Sequence, residues 1–333
     1  MIPLLLVAAC AAEPDTEVDP GVPVDPLYLP DLSGVDLPAA FAEAFALALT
    51  THTGPAWDGH VGSLALAIDG CPDLWAGAPD DTALDLDEDA GGTSWSDRCA
   101  NGDGIGFEGS VWWDSTVAVE GDAASAEGRS AVAERRLVGD GTVGRGADLR
   151  YALDGAAEET LTRLDAADGY TRWVWSNLMD ATIGGTTALD GTAFPGGVRA
   201  DTYLAVTGGD VDALELRGNV YLFDDRVAER FDSVAFDLSF AGPTGASPAT
   251  CTAEPRGWLA VRDTNAFWHD LVFLAPQGEE LETELPDGCD GCGTLYVRGV
   301  ESGEVCVDLA STWDGGLAPP DLAEFVLSVR DLP

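Results

Sequence analysis

The chain contains no lysine: all 16 of its basic residues are arginine, set against 59 aspartates and glutamates, for a formal net charge of -43. Lysine's absence excludes Schiff-base catalysis. An acidic excess of this size repels phosphate backbones and anionic headgroups, which excludes nucleic acid and a bare anionic membrane surface as partners. Histidine is sparse as well, with only His52, His60 and His269. There is no G-x-S-x-G elbow, no H-E-x-x-H zinc motif and no phosphate-binding loop. The one glycine pattern, Gly104-x-Gly106-x-x-Gly109, opens into the strand-like Ser-Val-Trp-Trp-Asp, whereas a dinucleotide site needs a helix there.

What the chain does have begins at its first residues. The apolar run 2–9 is too short to span a bilayer and ends in Val7-Ala8-Ala9-Cys10. This stretch resembles the lipobox of bacterial lipoproteins. The resemblance implies that residues 1–9 are a signal segment and that the Cys10 thiol carries the lipid. It also implies that the mature chain begins at Cys10, and Ala11 after it implies sorting to the outer membrane. Nine residues precede Cys10 and none is basic, so a start further upstream, with a basic segment, is expected. Residues 10–37 hold prolines at 14, 20, 23, 26 and 30 and carboxylates throughout. Fixed φ angles and like-charge repulsion make this an extended tether reaching roughly 80 Å at ~3.1 Å per residue. The expected location is the cell envelope, with the membrane engaged through the lipid.

Setting Cys10 aside leaves an even six cysteines: Cys71, Cys99, Cys251, Cys289, Cys292 and Cys306. In an exported chain these form a disulfide framework, for which the count alone allows 15 pairings. Clustering groups Cys71 with Cys99 and places two bridges among the four C-terminal cysteines. The alternative for those four is a zinc site of thiolates, disfavoured by an oxidising compartment. Between Cys71 and Cys99 lies Asp85-Leu-Asp87-Glu-Asp89-Ala-Gly91, which looks like the start of a calcium loop. Its glycine falls one place late and its twelfth position is Ser96 instead of glutamate, so Asp85, Asp87 and Asp89 are a weak calcium site, and no other cofactor is expected.

The fold class predicted is mainly β, an antiparallel meander or sandwich of about a dozen strands with one N-terminal helix and a disulfide-stapled C-terminal portion. Residues 39–50 form that helix, with Phe41, Phe45, Leu47 and Leu49 available for burial. Period-two alternation marks the strands: Leu214, Leu216, Val220 and Leu222 interleave with Glu215, Arg217, Asn219 and Tyr221. Strands are expected near 62–69, 105–120, 130–138, 147–154, 158–165, 169–176, 198–207, 211–224, 229–240, 256–262, 266–274, 293–298 and 303–309. Asp-Gly pairs at 103, 140, 154, 168, 190 and elsewhere read as hairpin turns, and a short helix is expected near 321–329. No crossover helices separate the strands, which argues against a parallel sheet. Residues 38–333 thus form the globular region, with 241–250 as a candidate sub-boundary and a cysteine-rich portion at 251–333 that reads as the last strands of the same sheet, with a second domain as the alternative.

The expected role is that of a lipid-anchored, exported module with a structural or interaction function, its partner an envelope protein or glycan. One alternative is a glycan- or calcium-binding lectin-like module. Trp173 and Trp175 share a strand face and offer a stacking platform for sugars, or else fill the core. A secreted hydrolase without a local motif is the other alternative, in which His269 beside Asp270 is the residue to mutate.

Overall fold

The computed structural model describes residues 34–50, 54–68, 70–77, 91–121, 129–165, 171–186, 196–207, 213–223, 225–241, 255–273 and 291–309, together with Leu32. The architecture below is that of the unit Gly34–Pro333. Two helices come first, α1 (Leu37–Thr50) and α2 (Gly54–Leu64). Strands follow: β1 (Trp75–Ala76), β2 (Thr93–Ala100), β3 (Gly106–Gly121), β4 (Arg129–Arg145), β5 (Asp148–Asp165), β6 (Thr171–Gly185) and β7 (Gly196–Thr207). The series closes with β8 (Ala213–Leu222), β9 (Phe231–Ala241), β10 (Arg256–Asp263), β11 (Trp268–Val272), β12 (Cys292–Val297) and β13 (Val300–Cys306). Among the described residues these strands form one sheet of 13 in chain order, each antiparallel to the next. The protein is therefore a mainly β meander, as the alternation predicts.

Its two faces differ. Along β4 the odd positions from Ala131 to Val143 are buried while the even ones are exposed or half-buried, and the same alternation runs through β5. Both helices lie on the buried, inner face. The stripe Ala40, Phe41, Ala44, Phe45 and Ala48 of α1 is buried, Phe45 meets Phe240 at 5.5 Å, and the helix touches β8, β9, β10 and β13. Asp36 caps it, its Oδ1 accepting from the Ala39 N–H at 3.2 Å. Among the described residues no helix is long and apolar enough to cross a membrane.

Four expectations need correction. α2 is a second helix where a strand was expected from residue 62. Its sequence, with Gly54, Pro55, Gly59 and Gly62, is a poor helix former, but burying Trp57, His60 and Leu64 at helical spacing against β4 and β5 overrides propensity. β2, not expected, pairs β3 over eight residues. The expected break between 147–154 and 158–165 is absent, because β5 runs through it for 18 residues. Finally, Asp140-Gly141 and Asp154-Gly155 sit mid-strand, with Asp140 opposite Asp154. Each glycine there serves close approach, not a turn. A Cβ on Gly141 would lie 2.9 Å from the Trp95 ring and 2.6 Å from Val111, and Gly155 holds φ +129° with the Asp180 carbonyl 2.2 Å from where its Cβ would be. The suggested boundary at 241–250 and the helix near 321–329 lie outside the described residues, apart from Ala241. On either side of that boundary β9 and β10 pair directly.

Both margins of the sheet carry a disulfide. Cys71 joins Cys99 on β2, as the clustering indicates, and Cys292 joins Cys306 across β12 and β13. Two of the four C-terminal sulfurs are thereby engaged, which removes the four-thiolate zinc alternative. Cys251 and Cys289 lie outside the described residues.

The packing at Gly141 makes a prediction. Gly141→Ala should destabilise the protein by about 1–3 kcal/mol through overpacking against Trp95. Gly102→Ala, with nothing within 4 Å, should change it by less than about 0.5 kcal/mol. Urea midpoints of the two variants check this, and equal midpoints would contradict the packing described.

Candidate functional site

The inward positions of the central strands are not all apolar. Ser115, Arg135, Glu159, Asn177 and Thr202 are consecutive register partners from β3 to β7, so five neighbouring strands each place one polar side chain in a single row across the inner face. Arg135 and Glu159 form an ion pair with side chains 7% and 0% exposed, the guanidinium Nε donating to Glu159 Oε2 at 2.9 Å. Asn177 donates to Thr202 Oγ1 at 3.0 Å. Beside this pair lies a cavity of about 20 Å³ lined by Ala48, Leu49, Trp175 and Leu216 among others, the volume of a single water.

Helix α2 covers the other end of the row. The Trp57 ring lies over Arg135, 5.3 Å from Cζ to centroid. His60 is fully buried, edge-on to Trp113 at 4.4 Å and 6.3 Å from Tyr151. Neither of its ring nitrogens has a hydrogen-bond partner, and burial depresses its pKa to about 3. Burial likewise raises that of Tyr151. His60 is thus a neutral ring in an apolar seat, shut away from any substrate. With one cation and one anion paired inside it, the row orients strands and seats a helix. It presents no exposed nucleophile or base.

His269 is the second buried histidine. It sits on the inward side of β11, and its Nε2 is 3.3 Å from Oδ2 of Asp263; the partner is Asp263, not the neighbouring Asp270. The other oxygen of Asp263 accepts from the backbone N–H groups of Asn265 and Phe267 at 2.9 and 3.0 Å. Asp263 therefore closes the β10–β11 hairpin, and His269 braces it. Burial lowers the pKa of His269, opposed by its bond to Asp263. Burial also raises that of Asp270.

The remaining sequence candidates are placed as follows. Trp173 and Trp175 do share a face, and it is the inner one: Trp173 is 9% exposed, with the Arg163 guanidinium 4.9 Å above its ring. The glycines at 104, 106 and 109 belong to the β2–β3 hairpin, which Asn101 organises by accepting from Asp103 and Ile105 N–H. Cys10, His52, Asp85, Asp87 and Asp89 lie outside the described residues. Near this hairpin an open cavity of about 510 Å³ is lined by Arg98, Phe107, Glu108, Thr142 and Leu149. Its ion pair, Arg98 with Glu108 at 3.5 Å, is mostly exposed. Cys292, Glu304 and Cys306 cluster within metal-ligand distance, but the two sulfurs are bonded to each other. Sequence reasoning missed Arg135, Glu159, Asn177 and Thr202. Their signal was a polar residue at the inward parity of an alternating strand, as in Ala131, Ala133, Arg135, Leu137.

No protein-family model matches the chain, and no curated protein or solved structure matches it either.

Two predictions follow from the burial of these groups. His60 has its folded pKa below the unfolded value, so the stability from keeping it neutral is present above about pH 6.5 and is lost as pH falls towards 3. His60→Phe should therefore flatten the acid dependence of the urea midpoint by the equivalent of about 3 kcal/mol between pH 7 and 4; an unchanged slope would contradict the assignment. At the ion pair, Glu159→Gln leaves a buried cation without its anion and should cost about 3–5 kcal/mol, whereas the double change Arg135→Met, Glu159→Leu should cost much less. Thermal melts of both decide the order.

Proposed function

We propose that the chain is an exported, lipid-anchored β-sheet module that works by contact with an envelope partner and not by turning over a substrate. The observation that carries this reading is the pair of disulfides at opposite margins of the sheet, Cys71–Cys99 and Cys292–Cys306. Bonds of this kind persist in oxidising compartments, the place to which the lipobox-like Val7-Ala8-Ala9-Cys10 points. The inner polar groups support the same reading, since they are sealed beneath α1 and α2 with room for about one water. A proline-rich acidic tether holds the sheet away from the membrane, and the acidic surface keeps it dispersed. The outer face of the sheet is then what a partner meets.

The anchor is tested by metabolic labelling with a clickable fatty acid followed by membrane fractionation. The wild-type protein should take up label and sediment with membranes. Cys10→Ala should lose the label and turn soluble with its circular dichroism unchanged. A wild-type protein that is unlabelled and carries a free Cys10 thiol would overturn the reading.

A further inference from the structure

The outer face of the sheet is divided. On β4, β5 and β6 its outward positions carry residues such as Val138, Ala156, Glu158, Thr160 and Leu178, and none of these is aromatic. The outward tryptophan of β3, Trp112, is buried and donates to the Gly91 carbonyl at 2.8 Å. From β7 to β12 the outward face turns aromatic. Tyr221, Ser233, Arg262 and Trp268 are successive register partners. Four residues further along the strands, about 14 Å away at ~3.4 Å per residue, runs a second row of Tyr203, Arg217, Asp237 and Trp258. The row between them carries short side chains, the acidic or polar Asp201, Asn219 and Asp270 with Ala235 and Ala260, and ends at Tyr296.

Each arginine of these rows faces a carboxylate. Arg262 lies over both Tyr221 and Trp268, at 5.4 and 5.8 Å, and pairs with Asp232 at 3.0 Å. Arg217 lies 5.9 Å from the Tyr203 ring and pairs with Asp237 at 3.5 Å. With Asp201 and Asp270 added to these two ion pairs the face is itself acidic, and with the chain's net charge of -43 it repels an anion. It offers half-buried aromatic rings beside guanidinium donors and carboxylate acceptors. Sugar rings carry apolar C–H faces edged with hydroxyls that both donate and accept, which is the complement of that pattern.

We propose that the outer face of β7–β12 binds an uncharged polysaccharide, with the rings of Trp258, Trp268, Tyr203 and Tyr221 as the stacking platform. This rests on the reading of the chain as a contact module and names the chemistry of its partner. It also moves the sugar platform away from Trp173 and Trp175, which face inward.

Affinity electrophoresis of the detergent-solubilised full chain, in gels containing cellulosic, chitin-derived, mannan or α-glucan polymers, tests the proposal, with alginate and heparin as anionic controls. At least one neutral polymer should retard the protein, and neither anionic one should. Trp258→Ala with Trp268→Ala should weaken retardation at least tenfold, while Leu178→Ala on the aromatic-free half should leave it unchanged. If the double variant has lost its circular dichroism, Asp201→Ala with Asn219→Ala, both exposed, takes its place and should weaken binding several-fold. Retardation by anionic polymers only, by none of the polymers, or unaltered by the folded variants would overturn the proposal. A chain that binds a neutral polymer but lacks the Cys10 lipid would keep the proposal and remove the anchor, so the two failures are distinguishable.

Discussion

Strand register is the constraint on which this structure depends. Side chains alternate across a sheet with a period of two, so a slip of one residue on β4 or β5 would carry Glu134 and Glu158 inward in place of Arg135 and Glu159. The polar row makes such a slip costly. Arg135 is seated between its carboxylate partner and the Trp57 ring in a buried place, whereas the neighbouring Arg136, set between Glu158 and the Trp112 ring, is half exposed on the outer face. Apolar burial favours any register that keeps one face dry, whereas a buried ion pair spanning adjacent strands is satisfied in one register only. The helices depend on the same alignment, since His60 packs against Trp113 and Tyr151, two residues that the pairing brings to one side.

The margins of the sheet are handled differently from its centre. Strands β3 to β6 are 15 to 18 residues long and support one another through continuous pairing. Strands near the ends are shorter, down to two residues in β1 and five in β11, and there covalent and local devices take over. Cys71–Cys99 ties β2 to the segment leaving α2, and Cys292–Cys306 ties the last two strands. Asp263 locks the β10–β11 turn by accepting two backbone N–H groups, with His269 beneath it. Staples at the margins and long pairing in the middle let one meander extend over the 13 strands of the described residues.

The division of the outer face has a physical logic of its own. Where the strands are long the exterior is mostly aliphatic, polar or charged, its one aromatic among β3–β6 being the buried Trp112 under Arg136. Where they shorten, the exterior carries aromatic rings interleaved with arginines that are themselves paired with carboxylates. In a chain with so few cations, two arginines lie over three of the outward rings, and this half of the face carries more aromatic surface than the long-strand half.

Much of the fold was legible in the chain because strand alternation is a local property. The antiparallel class, helix α1, most strands and the Cys71–Cys99 pairing could be read from spacing and parity. What local reading missed was set by contacts between distant residues. Gly141 and Gly155 read as turn signals because Asp-Gly favours turns, and only the approach of Trp95 and of the Asp180 backbone shows why a strand runs through them. α2 looked non-helical because its glycines weaken it, and burial of Trp57, His60 and Leu64 against the sheet outweighs them. Neither the inner polar row nor the outer aromatic rows exist in the sequence at all. Each takes single residues from strands far apart along the chain, and only register, a property of the assembled sheet, brings them into line.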